Sequence, residues 1–120
     1  MMNTDKCSIR VLKECAEIQE KKGADYQNSQ SRIKQADHYP RGCSTIIDMA
    51  YQKLIRIYSL LDAVKNGCDS PNFESIEDSA KDAINYLSFF VAYSRGEMDG
   101  QDSSRDIFNC ERDLKSTSTR

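Results

Sequence analysis

The sequence predicts an all-α protein, a small bundle of three main helices. In three segments, apolar residues recur at spacings of three and four, and no segment shows the strict apolar–polar alternation of a strand. Gly, Asn and Pro residues separate these segments. The 120 residues suit one domain. We place this domain at residues 1–96 and expect residues 97–120 to form a polar tail, in which 105–114 could form a short helix.

The first predicted helix covers residues 5–22. Its main apolar residues share one face: Ile9, Leu12, Cys15 and Ile18. Gly23 suits the end of this helix, because glycine readily adopts the conformation that closes a helix. Residues 24–43 are rich in Gln, Ser, Asn and Asp and predict a long irregular loop. Loops of this length in small domains are often functional, so we expect this one to cover a ligand.

The second and third predicted helices cover residues 44–66 and 73–95. The second has the clearest helical period of apolar residues, and Gly67 follows its end. Asn72 can cap the third helix, and Gly96 suits its end. Acidic residues crowd the first turns of the third helix, where the helix dipole favours negative charge. These residues are Glu74, Glu77 and Asp78.

Composition excludes several classes of protein. The chain has 17 Lys plus Arg and 19 Asp plus Glu, and this net charge of -2 argues against a broad nucleic-acid-binding face. No apolar run approaches the roughly 18 residues that a membrane span needs. The five cysteines are odd in number and widely spaced, which is typical of reduced thiols. We therefore expect a cytoplasmic protein.

The apolar content also predicts self-association. Only 38% of the residues are apolar, so the core of a single chain is thin. The second half of the third helix is nonetheless apolar nearly all round, and a bundle this thin cannot cover every side of it. The residues concerned are Phe89, Phe90, Val91 and Tyr93. We expect a homodimer or homotetramer built on the third helix.

Glu74, Asp78, Asp82 and Asn85 form one polar stripe along the third helix. Adjacent carboxylates at a four-residue spacing repel one another, and a cation between them removes that repulsion. Oxygen ligands of this kind select Mg²⁺, Mn²⁺ or Ca²⁺. The stripe therefore predicts either a divalent-metal site or a solvated face whose charges complement the helix dipole.

Lys53 and Arg56 lie about one turn apart on the second helix. Lys53 is at the edge of the apolar face, where its ammonium group could bind a phosphate or pair with the acidic stripe. Alternatively, its stem covers the core and its ammonium group lies in water. Glu14 and Glu17 of the first helix have a spacing seen in metal sites, but the Lys and Arg residues among them suit ordinary intrahelical pairing.

Three segments of the chain resemble a phage-borne, nucleotide-modification-associated family of small helical proteins. The segments are KKGADYQN, KLIRIYSLL and FESIEDSAKDAINYLSFF. That family is similar in turn to the MazG-like and dimeric dUTPase-like all-α NTP pyrophosphohydrolases. The resemblance covers roughly residues 14–95 and is best from Glu74 to Tyr86.

The resemblance implies a metal-dependent nucleotide pyrophosphohydrolase of phage nucleotide or modified-DNA metabolism. Mg²⁺ or Mn²⁺ would hold the phosphates of a nucleoside triphosphate while water attacks the α–β link. The implied metal ligands are Glu74, Asp78 and Asp82. The implied nucleotide- and phosphate-binding residues are Lys53, Arg56, Asn85, Asp25 and Tyr26.

The chain departs from the MazG-like pattern on the helix before the acidic one. That helix carries Lys53 and Arg56 and has no ExxE, whereas the pattern has an EExxE helix at this place. The departure supports a second hypothesis, a non-catalytic protein that sequesters a nucleotide or a nucleotide-derived signal, or that engages a host enzyme. Tyr26 and Tyr39 of the long loop suit this alternative, because aromatic side chains stack on bases.

Overall fold

The computed structural model describes residues 6–26, 31–67 and 73–101, and these residues are mostly helical. The helices are α1 (Cys7–Tyr26), α2 (Cys43–Lys65) and α3 (Phe73–Ser94). A short 3₁₀ turn, Gln35–His38, lies between α1 and α2. Within the described ranges there is no strand, and the prediction of an all-α fold is confirmed.

The ends of α2 and α3 lie within one residue of their predicted positions, whereas α1 runs past its predicted end. Gly23 was expected to end the helix at residue 22, but α1 continues through it to Tyr26. A helical glycine costs only about 1 kcal/mol relative to alanine, which the rest of a 20-residue helix can offset. The helix predicted at 105–114 lies outside the described residues.

Helices α2 and α3 pack side by side in opposite directions. Near one end, the Cys43 thiol is 3.9 Å from the Phe90 carbonyl oxygen. Near the other, Arg56 Nη2 is 2.9 Å from Ser75 Oγ. Helix α1 runs along α3 in the same direction, since Cys15 lies near Lys81 and Gln19 near Ser88. Helix α3 is therefore the central element of the bundle.

The core lies at the end of the bundle where α2 begins and α3 ends. Ile46 is fully buried there, and Tyr39 and Met98 complete the buried cluster. Partly buried aromatic side chains of α3 pack around it: Tyr86, Phe89, Phe90 and Tyr93. Phe89, Phe90 and Tyr93 were expected to need a second chain, but the core of one chain already covers much of their surface. Val91, the fourth residue of that expectation, is 44% exposed. No helix in the described ranges is long and apolar enough to cross a membrane.

Residues 97–101 belong to this core, although the polar tail was predicted to begin at residue 97. Met98 is only 6% exposed. The Ala36 amide donates to the Asp99 carbonyl oxygen at 3.0 Å, and the Gln101 side chain donates to the Tyr93 carbonyl oxygen at 2.7 Å. The segment after α3 thus turns back and fixes residues 34–39 against the end of the helix pair.

Candidate functional site

A cavity of about 550 Å³ opens beside the core, between the C-terminal half of α1, residues 31–39, α2 and α3. This volume falls in the range of about 300–1,000 Å³ that is usual for small-molecule sites. Its wall combines polar, aromatic and charged side chains: Gln19, Lys22, Ser31, Ile33, Lys34, Gln35, His38, Tyr39, Met49, Lys53, Asp82, Asn85, Tyr86, Phe89 and Asp99. Three lysines against two aspartates make the wall attractive to an anion.

Asp82 is the charged centre of the cavity. Its Oδ2 atom lies 3.1 Å from Lys53 Nζ of α2, and its Oδ1 atom lies 3.8 Å from Lys22 Nζ of α1. The Asp82 and Lys53 side chains are 27% and 33% exposed, so water screens this pair only in part. One carboxylate thus joins three helices, and two ammonium groups share it.

The amide side chains of Gln19 and Asn85 form the wall next to Asp82. Gln19 Nε2 is 2.7 Å from both Asn85 Oδ1 and Ser88 Oγ. The Ser88 hydroxyl donates to the Asn85 carbonyl oxygen, also at 2.7 Å. Asn85 is only 6% exposed, and its contact with Gln19 fixes the orientation of its side chain. The cavity therefore presents a held amide group beside the charged centre.

The third part of the wall is aromatic. Tyr39 comes from the segment before α2, and Tyr86 and Phe89 come from α3. The rings of Tyr86 and Phe89 meet edge to face, with their centroids 6.0 Å apart and their planes at 83°. Met49 of α2 also lines the cavity. This wall offers flat apolar surface to a ligand whose charged part lies at the lysines.

Three of the predicted site residues meet at the cavity, and others do not. Lys53, Asp82 and Asn85 all line it. Arg56 instead donates to the Ser75 hydroxyl, and Asp78 is exposed to solvent away from the wall. The side chains of three predicted residues lie outside the described part of the chain: Glu74, Asp25 and Tyr26.

Sequence reasoning missed Gln19 and Lys22, which α1 contributes to the cavity. Their spacing of three places them on one face of a helix, but only the packing of α1 along α3 shows what that face meets. Tyr86 and Phe89 were also missed as wall residues, because an aromatic pair at this spacing is equally typical of a core.

The described carboxylates are too far apart to hold a metal ion together. Within the described ranges, no three His, Cys, Asp or Glu side chains come close enough together to do so. Asp82 is paired with lysines instead. The side chain of Glu74 is not among the described groups, so a Mg²⁺ or Mn²⁺ site at Glu74, Asp78 and Asp82 stays a prediction.

Two titrating groups lie on the α1–α3 contact away from the cavity. Lys81 Nζ is 2.9 Å from Glu14 Oε1, and this hydrogen bond raises the pKa of Lys81. Burial raises the pKa of the Cys15 thiol, which is only 2% exposed. Both groups therefore keep their protons to higher pH in the folded protein than in the unfolded chain.

No family model, no curated protein and no solved structure matches this chain. Two ammonium groups, a held amide and an aromatic wall can bind a small molecule that combines negative charge with a flat ring.

Proposed function

We propose that the protein binds a nucleotide-sized, phosphate-bearing small molecule in this cavity without cleaving it. The observation that carries the proposal is the convergence of Lys22 and Lys53, from two helices, on the single carboxylate of Asp82. An ammonium group has three donors, so each lysine can keep Asp82 and still donate to a phosphate. The phosphate would lie between α1 and α2, at the charged centre of the cavity.

The other walls of the cavity suit the rest of a nucleotide. Tyr39, Tyr86 and Phe89 supply aromatic surface on which a base can stack. The Asn85 amide lies between the aromatic wall and the charged centre, where it can hydrogen-bond to a sugar or base. Sequestration of a nucleotide or a nucleotide-derived signal follows from binding without cleavage.

The first experiment is calorimetric titration with pyrophosphate and a panel of nucleoside triphosphates, in buffer with EDTA. Lys22→Met and Lys53→Met should each weaken binding roughly 10- to 100-fold, since a hydrogen bond to a charged group contributes about 1.5–3 kcal/mol. Lys21→Met is the matched control, because Lys21 is exposed and does not line the cavity. Absence of heat with every ligand, or an equal loss in Lys21→Met, would refute the proposal.

A second candidate is the Mg²⁺- or Mn²⁺-dependent nucleoside triphosphate pyrophosphohydrolase that the family resemblance implies. Its specific support is Asp82, which lines the cavity beside both phosphate-binding lysines and lies one turn after Asp78. A metal at Asp82 would have to displace the two ammonium groups. The expected result of this alternative is release of pyrophosphate from a triphosphate that depends on added metal.

Asp82→Asn separates the two candidates. If Asp82 only balances the lysines, its neutral amide no longer competes for them, and pyrophosphate should bind a few-fold more tightly than to the natural protein. If Asp82 is a metal ligand, Asp82→Asn should abolish metal-dependent pyrophosphate release. Titration in EDTA and a turnover assay with Mg²⁺ measure the two effects on the same preparation.

A further inference from the structure

Helix α2 carries a long apolar stripe on the side away from the cavity. Its members are between 41% and 68% exposed: Ile47, Tyr51, Leu54, Ile55, Tyr58 and Leu61. The adjoining face of α2, with Ile46 and Ala50 buried, packs against α3, and α1 packs on α3 as well. The exposed fractions of the stripe residues show that no helix among the described residues covers it. The exposed apolar pairs of the other helices, Ile9 with Leu12 and Leu87 with Val91, are shorter.

The order of aromatic and aliphatic residues in the stripe is nearly the same in both directions along the helix. Tyr51 and Tyr58 lie at equal distances on either side of the point between Leu54 and Ile55. Ile47 and Leu61 form the next aliphatic pair outwards, offset by one residue: Ile47 lies 7.5 positions before this point and Leu61 lies 6.5 positions after it. A second α2 running in the opposite direction would therefore place aromatic residues opposite aromatic residues and aliphatic residues opposite aliphatic ones.

We propose that two copies of this chain pair through the α2 stripe, antiparallel, about a two-fold axis that passes beside Leu54 and Ile55. An interface of this kind joins the same surface on both subunits and must be self-complementary, which the reversed order of the stripe provides. Tyr51 of one copy then meets Tyr58 of the other, and Ile47 meets Leu61. The proposal does not depend on what the cavity binds, because the cavity opens on the other side of α2.

Charged residues of both signs lie at the two ends of the stripe. Arg41 and Asp48 lie at the start of α2, with 3.7 Å between Arg41 Nη2 and Asp48 Oδ2. Asp62 and Lys65 are exposed at its end. Antiparallel pairing brings two cations and two anions together at each end of the interface.

The size of the stripe suits a dimer. Its exposed fractions correspond to roughly 600 Å² of surface, close to the largest patches that monomers leave exposed and to the roughly 800 Å² per partner of a standard interface. The polar residues beside the stripe supply the remainder. Tyrosine is enriched at interfaces, because its ring buries a large area while its hydroxyl stays hydrated.

Light scattering after gel filtration at micromolar concentration tests the pairing. The natural protein should have twice the mass of the chain, and Tyr58→Glu should have the mass of one chain. Gln52→Glu is the control, since Gln52 is exposed on α2 but lies off the stripe. Circular dichroism should show equal helix content in all three proteins, because 68% of Tyr58 is already exposed. If the natural protein has the mass of a single chain, the proposal is overturned, even if a different partner covers the stripe.

Cysteine crosslinking tests the direction of the pairing. In an antiparallel pair, Leu54→Cys lies beside the axis and should form a disulfide with its own copy under mild oxidation. Ile47→Cys should not, because its copy lies about 22–23 Å away along the helix, beyond the roughly 7 Å limit between Cα atoms. Mass spectrometry of the linked peptides separates these bonds from those of the five natural cysteines. A disulfide between two copies of Ile47→Cys would exclude the antiparallel arrangement.

Discussion

At the scale of single residues, the contact between Gln19 and Asn85 is a buried polar link between α1 and α3. The Gln19 amide satisfies the Asn85 oxygen at 2.7 Å, and Asn85 is nearly inaccessible to water. Gln19→Met keeps the shape of the side chain but removes the donor. We expect it to lower the free energy of unfolding by about 1–2 kcal/mol, because a buried acceptor is left without a partner.

Urea unfolding followed by circular dichroism measures this loss. Gln52→Met is the control, since Gln52 is exposed and a surface substitution of this kind usually changes stability by less than about 0.5 kcal/mol. Equal stabilities of Gln19→Met and the natural protein would show that water replaces the Gln19 donor.

Cys15 makes stability depend on pH in the alkaline range. Burial raises the pKa of its thiol in the folded protein, so the unfolded chain loses this proton first as pH rises. Above the thiol's ordinary pKa of about 8.5 the unfolded state therefore binds fewer protons, and the free energy of unfolding falls. Cys15→Ala should show a shallower fall than the natural protein between about pH 8 and 10.

Urea midpoints at several pH values measure this slope. Cys7→Ala provides the comparison, because Cys7 is an exposed cysteine on the same helix. Lys81 contributes in the same direction at higher pH: its bond to Glu14 raises its pKa, so its stabilisation is lost as pH rises through that raised value. Parallel slopes for Cys15→Ala and the natural protein would contradict the assignment to Cys15.

At the scale of elements, two glycines have opposite roles. Gly42, just before α2, has φ of +61°, and a Cβ atom there would lie 2.7 Å from the Tyr93 ring. Gly42→Ala should therefore destabilise the protein by about 2 kcal/mol or more. Gly23 lies inside α1 with nothing within 4 Å of an added Cβ, so Gly23→Ala should stabilise it by about 0.5–1 kcal/mol.

Melting temperatures of the two variants test both expected changes, a loss of stability in Gly42→Ala and a gain in Gly23→Ala. Because the substitution is the same in each, its intrinsic effect on the side chain cancels, and the difference reports the backbone and the space around it. A loss of stability in Gly23→Ala would mean that α1 ends near residue 22, as the sequence alone predicts.

The elements also show what local sequence can predict. The ends of α2 and α3 could be predicted from the spacing of their apolar residues and from the Gly or Asn residues beside them. This worked because both helices bury one face along most of their length. Met98 escaped prediction, since one apolar residue in a polar segment has no period. In the site, Lys53, Asp82 and Asn85 were predicted from helix geometry within α2 and α3. Gln19 and Lys22 depend on how α1 packs, which no local pattern specifies.

At the scale of the whole molecule, the pair of helices α2 and α3 is the more stable part of the bundle, and α1 is the less stable part. Helices α2 and α3 share the core, with Ile46 fully buried. Helix α1 contacts α3 through the small buried Cys15 and through polar bonds of Glu14, Gln19 and Lys22. Few buried apolar contacts predict easy local opening. One wall of the cavity therefore belongs to the least stable helix.

Ligand binding should stabilise this weak part. A phosphate held by both Lys22 of α1 and Lys53 of α2 would couple α1 to the helix pair, because opening α1 would then also cost the binding free energy. Without ligand, hydrogen exchange should be faster in residues 8–22 than in residues 46–60. Millimolar pyrophosphate should slow exchange in residues 8–22, and should not do so in Lys22→Met. If α1 exchanged as slowly as α2 before any ligand was added, the division into a strong and a weak part would be wrong.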